Sequence, residues 1–396
     1  MCFLLGESAW TLYHSKQVHM FDAIRNPGCV LAALCVAAVG FAQDPELYFR
    51  DAGVTFRKIP PEQRLYWAPH IANSNRRILE AADLAARNEV VIVLGAGAVT
   101  EIPLPELARR FDRVILADLD EPSMLEAVEL APPEVRSKIE VRVMDVTSFA
   151  ASLMEKIADA VEASADAAGA FRRFDDIFGS LAAREPPADL PPADLVVSSL
   201  LLSEIPRYPR AYADHLVRMR FKTRLRSWDG YSAASRRLVE LSMEDHARLL
   251  AKLCRPDGVV YYADTVLRGP ESLNLDAGTR ARVEREVLPD FRRLKLAETA
   301  TDVPPAIARL CEASHSVDVE TEAFERLLAA YRKQSDSAFE DLVDHGAVRA
   351  QWKTRGLARH GAPESWWWLA YPCAIAHSPG AFRVTSWILQ PAPAAP

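Results

Sequence analysis

The segment NEVVIVLGAG, from Asn88 to Gly97, constrains the fold more than any other stretch of the chain. An apolar, β-branched run that stops on two glycines is the pattern of a parallel strand buried on both faces. A helix is expected to begin near Pro103, because proline is tolerated in a first helical turn and Glu101 suits its positive end. The same grammar then repeats. RVILADLD reads as a second strand with a helix from Glu121 and Pro122, and KIEVRVMD, 138–145, as a third strand ending on an acid. Ahead of the first strand, 66–86 has helical spacing, with Ile71, Ile78, Leu79 and Leu84 near one face.

Further along, the Ala-rich stretch 150–184 reads as helical, and EPPADLPPAD breaks it before a fourth strand, ADLVVSS. DGVVYYADTV, 257–266, reads as a fifth. Strands alternating with helices imply an α/β, doubly wound, mostly parallel sheet, since right-handed crossovers place helices on both faces. The stretches 206–245 and 268–360 break the alternation and read as insertions, the second mostly helical and lid-like. WWWLAYPCAIA and FRVTSWILQ, joined by His377 to Gly380, suggest a terminal antiparallel hairpin within 361–390. Residues 1–65 stand as an N-terminal extension, 66–266 as the core, and 391–396 as a disordered tail.

Length and composition fit this reading. At 396 residues the chain has room for two or three structural units, and 49% hydrophobic with 26% charged residues is ordinary for a globular protein. The net charge of −7 disfavours nucleic-acid binding by the whole surface. Cys2, Cys29, Cys35, Cys254, Cys311 and Cys373 form no close pair of the zinc or redox kind and read as reduced thiols. No apolar run reaches the roughly 18 to 20 residues of a membrane-spanning helix, so a soluble, cytoplasmic protein is expected. Against that, CVLAALCVAAVGFA, Cys29 to Ala42, follows Arg25 in the manner of a secretory signal, with Met20 as an alternative start. The competing readings are a buried Ala-rich helix or a mis-assigned start.

In an open parallel sheet, ligands bind beyond the carboxyl ends of the strands. Gly95 and Gly97 would let backbone approach a ligand there, and Asp118, 23 positions beyond Gly95, stands where an acid accepts hydrogen bonds from ribose hydroxyls. Asp145 ends the third strand. Each feature alone has a conformational explanation, a tight turn or a helix cap. Their combination in register is far more specific. A nicotinamide-binding fingerprint requires a third glycine where Thr100 stands, which argues against a pyrophosphate-bearing cofactor and makes an NAD(P)-dependent oxidoreductase the lesser alternative.

VVIVLGAGAVTEIPL and VILADLDEPSMLEAV resemble the first two motifs of the class I S-adenosylmethionine-dependent methyltransferases. VRVMDVTSF, ADLVVSSLLLSEI and LLAKLCRPDGVVYYADTV resemble the third to fifth segments, in order. The resemblance implies a seven-stranded Rossmann-like sheet, S-adenosylmethionine as cofactor, and methyl transfer as the activity. It places Gly95, Ala96 and Gly97 beneath the methionine and ribose, and Asp118 with Leu119 at the ribose. Asp145 and Val146 fall at the adenine, and Ser198 and Ser199 beside the methyl-bearing sulfur. The family often has a small residue where Val99 stands. SSLLLSEI lacks the Asn-Pro-Pro-aromatic element of the nucleic-acid amino methylases it would otherwise resemble, so adenine or cytosine amino methylation is disfavoured.

Methyl transfer needs positioning more than a metal or a covalent nucleophile. Glu204, Tyr208 and His215 are the candidate general bases, each with an ordinary packing, capping or surface role as its alternative. The stretch 207–237 holds nine Lys or Arg residues against Asp214 and Asp229. Arg218, Arg220, Lys222, Arg224 and Arg226 alternate with apolar residues, which suits a strand or extended lid with one charged face. An anionic acceptor, carboxylate or phosphate, clamped by Arg218 and Arg220 and stacked on Trp228 is one reading, and a solvated edge is the other. A non-catalytic protein that keeps the pocket and holds RNA or an acidic partner on this basic stretch is the alternative function. His70, Asn73 and Arg76, spaced by threes, could face the cofactor mouth or simply be a polar helix face. The triple Trp366, Trp367 and Trp368 is expected to fill the hairpin's packing faces.

Overall fold

A computed structural model describes residues 61–182, 189–268, 345–371 and 380–392. The apolar segment 29–42 with its alternative secretory reading, the tail from 393 with its expected disorder, nearly all of the N-terminal extension and 269–344 of the second insertion lie outside the described residues, as do all cysteines but Cys254.

The elements are α1 (Pro61–Asp83), β1 (Val90–Leu94), α2 (Leu104–Arg110), β2 (Arg113–Asp118), α3 (Glu121–Leu130), α4 (Pro133–Arg136) and β3 (Ile139–Val143). Then come α5 (Ala150–Glu162), α6 (Ala167–Gly179), β4 (Ala193–Ser199), α7 (Arg207–Phe221), α8 (Tyr231–Leu253), β5 (Cys254–Arg268), α9 (His345–Thr354), β6 (Leu357–Tyr371) and β7 (Gly380–Pro391). They build one seven-stranded sheet in the order β3-β2-β1-β4-β5-β7-β6. β1 pairs in parallel with β2 and β4, which places the chain reversal between them, while β7 runs antiparallel to both β5 and β6.

The central strands β1 and β4 are buried along their whole length, as uninterrupted apolar runs require. Their side chains alternate between two cores. Ile92, Leu94, Val196, Val260 and Tyr262 pack toward α5 to α9, while Val91, Val93, Leu195, Val197 and Tyr261 pack toward α1, α2 and α3. α1 has an unusual buried stripe. Its last turns bury Ile78, Ala81 and Ala82, but its middle buries His70, Asn73, Ser74 and Arg77. Polar groups are costly to bury unless something uses them.

The alternating basic run does not form a strand. Arg218 and Arg220 lie in the last turn of α7, which buries Tyr212, Ala213, Leu216 and Val217 at helical spacing. Lys222, in the left-handed conformation at φ 57°, ends that helix, and Arg226 sits in a short 3-10 turn, Leu225–Ser227. The two-residue period therefore straddles a helix end instead of marking an extended segment. Among the described residues no helix is long and apolar enough to cross a membrane.

Candidate active site

The carboxyl ends of β1 to β5, with α1 and β6, enclose a cavity of about 290 Å³. The loop after β1 enters it with Gly95 at φ +61° and Gly97 at φ +47°. This is left-handed backbone that glycine adopts without steric cost. A Cβ on Gly95 would lie 2.6 Å from Leu201 Cδ1, so the residue type also sets how closely the β1 and β4 loops approach. Asp118 ties the rim together. Its Oδ2 accepts from the Gly97 N–H and its Oδ1 from the Asp120 N–H, each at 2.9 Å. Burial raises its pKa, and these N–H groups oppose the shift. Asp145 accepts from the N–H groups of Thr147 and Ala151, both at 2.8 Å, and so tethers the start of α5; burial raises it too. Each carboxylate oxygen keeps a second lone pair for a ligand donor.

Gly95, Ala96, Gly97, Asp118, Leu119, Asp145, Val146 and Ser199 all line this one cavity. Ser198 does not. Strand alternation turns it to the opposite face, where its Oγ lies 3.0 Å from His246 Nε2. Of the candidate bases, Glu204 and Tyr208 line the cavity, whereas His215 sits two turns along α7 and does not.

Nor does the fold bring Arg218, Arg220 or Trp228 there. Arg218 pairs with Asp214 at 2.6 Å, and Arg220 donates to the carbonyls of Glu162 and Ser164. Trp228 is buried among Phe171, Phe174 and Phe178, with its Nε1 donating to Asp175 at 3.0 Å. The basic stretch thus spends these groups on packing its own helices. Arg207 is its member that lines the cavity.

Other lining residues escape a reading of the sequence. Glu101 sits on the loop after Gly97, and burial pushes its pKa up to about 7. The Ser199 hydroxyl lies close enough to oppose that shift, yet it is buried without a hydrogen bond of normal geometry. Trp67 of α1 and Trp368 of β6 meet edge to face at 5.0 Å and form an aromatic wall. Trp368 also stacks on His70 at 4.7 Å, and His70 Nδ1 accepts from Trp366 Nε1 at 3.0 Å. Burial holds the His70 imidazole down to about 3, so it is neutral and acts as a spacer behind the wall. Asn73 is buried beside it, while Arg76 is turned away and paired with Glu364. Glu204 Oε1 accepts from Arg207 at 3.0 Å, and its Oε2 is buried without a hydrogen-bond partner among the described residues. The loop carrying Glu204 is pinned by Asp264, which accepts from the Ser203 N–H at 2.9 Å.

No protein-family model and no curated protein matches this chain. Among solved structures it is similar to an O-methyltransferase family protein from Burkholderia thailandensis, at 11% identity, TM-score 0.34, over 82% of this chain and 58% of that one. It is also similar to the YcgJ protein from Bacillus subtilis, at 10% identity, TM-score 0.34, over 79% and 96% of the two chains. A third is an S-adenosylmethionine-dependent methyltransferase from Clostridium acetobutylicum, at 11% identity, TM-score 0.24, over 54% and 53%. The chain spans 58% of the length of the first of these. Its own sheet is doubly wound and Rossmann-like, with the seventh strand reversed between the fifth and sixth.

Proposed function

We propose that this chain is a class I methyltransferase that binds S-adenosylmethionine over β1 to β3 and methylates an acceptor held over β4 and β5. The observation that carries the reading is the convergence of Gly95, Gly97, Asp118 and Asp145 on one rim of one cavity. The residues fit the cofactor. Gly95 and Gly97 leave backbone bare beneath it, Asp118 offers lone pairs to two ribose hydroxyls, and Asp145 with Val146 meets the adenine edge. Glu101 suits the ammonium of the methionine tail, and the unsatisfied Ser199 Oγ supplies a neighbouring hydroxyl.

When bound, S-adenosylmethionine supplies an electrophilic methyl group on a cationic sulfur. The protein's contribution is geometric and electrostatic. The loop of Leu200, Leu201 and Ile205 excludes water from the methyl-bearing region, and the aromatic wall holds the acceptor within the ~3 to 3.5 Å needed for in-line attack. Glu204 stands where an acceptor proton can be taken up, with Tyr208 beside it.

Calorimetry with S-adenosylhomocysteine tests the cofactor assignment: saturable binding is expected, and no heat at roughly 1 mM ligand would remove the proposal. A pH series tests Glu101. Its raised pKa leaves it protonated below about 7, while a cationic tail prefers the carboxylate. Affinity is therefore expected to weaken by up to about tenfold per pH unit below 7. It should weaken again in the alkaline range where the ligand's own amino group loses its proton. Glu101→Gln should abolish the acid limb only. An acid limb that persists in this variant would sink the role given to Glu101.

A further inference from the structure

The cavity has two ends of different chemistry. The ends of β1 to β3 line it with Gly95, Gly97, Asp118 and Asp145; the segments after β4, the end of β5, α1 and β6 line it with Glu204, Tyr208, Thr265, Trp67 and Trp368. Three aromatic side chains around a small volume suit a flat ring, which gains contact area and favourable ring geometry against them. The charged groups narrow the choice further. With Asp118, Asp145 and Glu101 assigned to the cofactor, the charged lining residues left for the acceptor in the segments after β4 are, among the described residues, Glu204 and Arg207, and the arginine is paired with Glu204 Oε1 at 3.0 Å. An anionic acceptor would meet the Glu204 carboxylate without an uncommitted cation, whereas a cation gains from both that carboxylate and the aromatic side chains. The other oxygen of Glu204, Oε2, is buried and has no hydrogen-bond partner among the described residues, so it suits a ligand donor.

We infer that the methyl acceptor is a small arylalkylamine, its ring held by Trp67, Trp368 and Tyr208 and its aliphatic nitrogen beside Glu204 Oε2. This rests on the methyltransferase reading above and specifies the substrate class of the same site. The amine arrives as an ammonium ion and gives one proton to Glu204. Its nitrogen lone pair then forms the new N–C bond to the sulfonium methyl as the C–S bond breaks. That bond's electron pair stays on sulfur as a neutral thioether, and the product leaves as an N-methylammonium ion.

Titration calorimetry on the full chain saturated with S-adenosylhomocysteine provides the test, with phenethylamine, 3-phenylpropionate and 4-ethylphenol as probes. These share a ring and differ in the charge and donor of the polar group. Phenethylamine is expected to bind at least about tenfold more tightly than either other probe. Glu204→Gln, a change of nearly equal shape, should reduce that preference to about threefold or less, with cofactor affinity within about twofold of the parent. Trp368→Ala should weaken all three ring compounds; if it fails to fold, Glu204→Gln still decides. Equal or tighter binding of the carboxylate or the phenol overturns the inference, as does no binding of any probe at roughly 10 mM. Failure of S-adenosylhomocysteine to bind would strike the cofactor assignment itself, whereas cofactor binding without amine preference strikes the acceptor class alone.

Discussion

Asp118→Ala is expected to weaken S-adenosylhomocysteine binding by about two orders of magnitude, while Glu204→Ala moves it by less than about threefold. The asymmetry follows from what each carboxylate holds. Asp118 would lose its hydrogen bonds to ribose hydroxyls, and bonds to a charged partner contribute about 1.5 to 3 kcal/mol each. It would also release the Gly97 and Asp120 N–H groups that it holds at 2.9 Å. The glycine loop would then have to be ordered by the ligand on binding, an entropic cost added to the lost contacts. Glu204 lies on the β4 loop, at the acceptor end. Asp118→Asn keeps one carbonyl oxygen and should fall between the two. Calorimetry of the three variants checks the order, and equal losses for Asp118→Ala and Glu204→Ala would remove the assignment of the two ends of the cavity.

The parts of this site that the sequence exposes are those set by local chain grammar. A buried strand must stop, a turn into a helix needs left-handed backbone, and an acid often closes the next strand, so Gly95, Gly97, Asp118 and Asp145 follow from segments of a few residues each. The sheet follows from the same repetition. What remains hidden comes from distant segments. Trp67 and Trp368 meet across the fold from opposite ends of the described chain, and no local pattern pairs them. Strand alternation would have separated Ser198 from Ser199, since adjacent residues in a strand face opposite sides.

The basic stretch misleads because a two-residue period over five positions cannot distinguish a strand from a helix end followed by a turn. The buried stripe of His70, Asn73 or Ser74, and Arg77 on α1 carried a usable signal. Polar residues at helical spacing, just where an apolar face is needed, mark a helix that covers something polar. Glu101 resembles an ordinary acid at a helix start; its raised pKa arises from burial in the folded loop, which no local pattern shows.

Stability has its own critical carboxylate, at the foot of the sheet and away from the cavity. Asp194→Ala is expected to lower the unfolding free energy by about 3 to 5 kcal/mol, a large fraction of the ~5 to 15 kcal/mol typical of a folded domain. Asp194 is 1% exposed and binds three donors: the N–H groups of Glu89 and Val90 through Oδ2, each at 2.9 Å, and Arg255 through Oδ1 at 2.6 Å. It therefore links the start of β1, the start of β4 and the start of β5. Alanine would leave the buried Val90 N–H and the part-buried Glu89 N–H without this acceptor, and Arg255 held by Glu89 alone. Asp194→Asn retains the shape and one acceptor oxygen, so about half the loss is expected. Asp257, 45% exposed in its pair with Arg87, is the matched surface control, and its removal should leave the unfolding midpoint nearly unchanged. Guanidinium unfolding of the three variants reads the difference directly, since a shift in midpoint at constant slope reports stability. Cofactor affinity of folded Asp194→Asn should match the parent, because none of the three donors borders the cavity. A midpoint for Asp194→Ala as high as that of Asp257→Ala would show that this buried junction does not hold the sheet together.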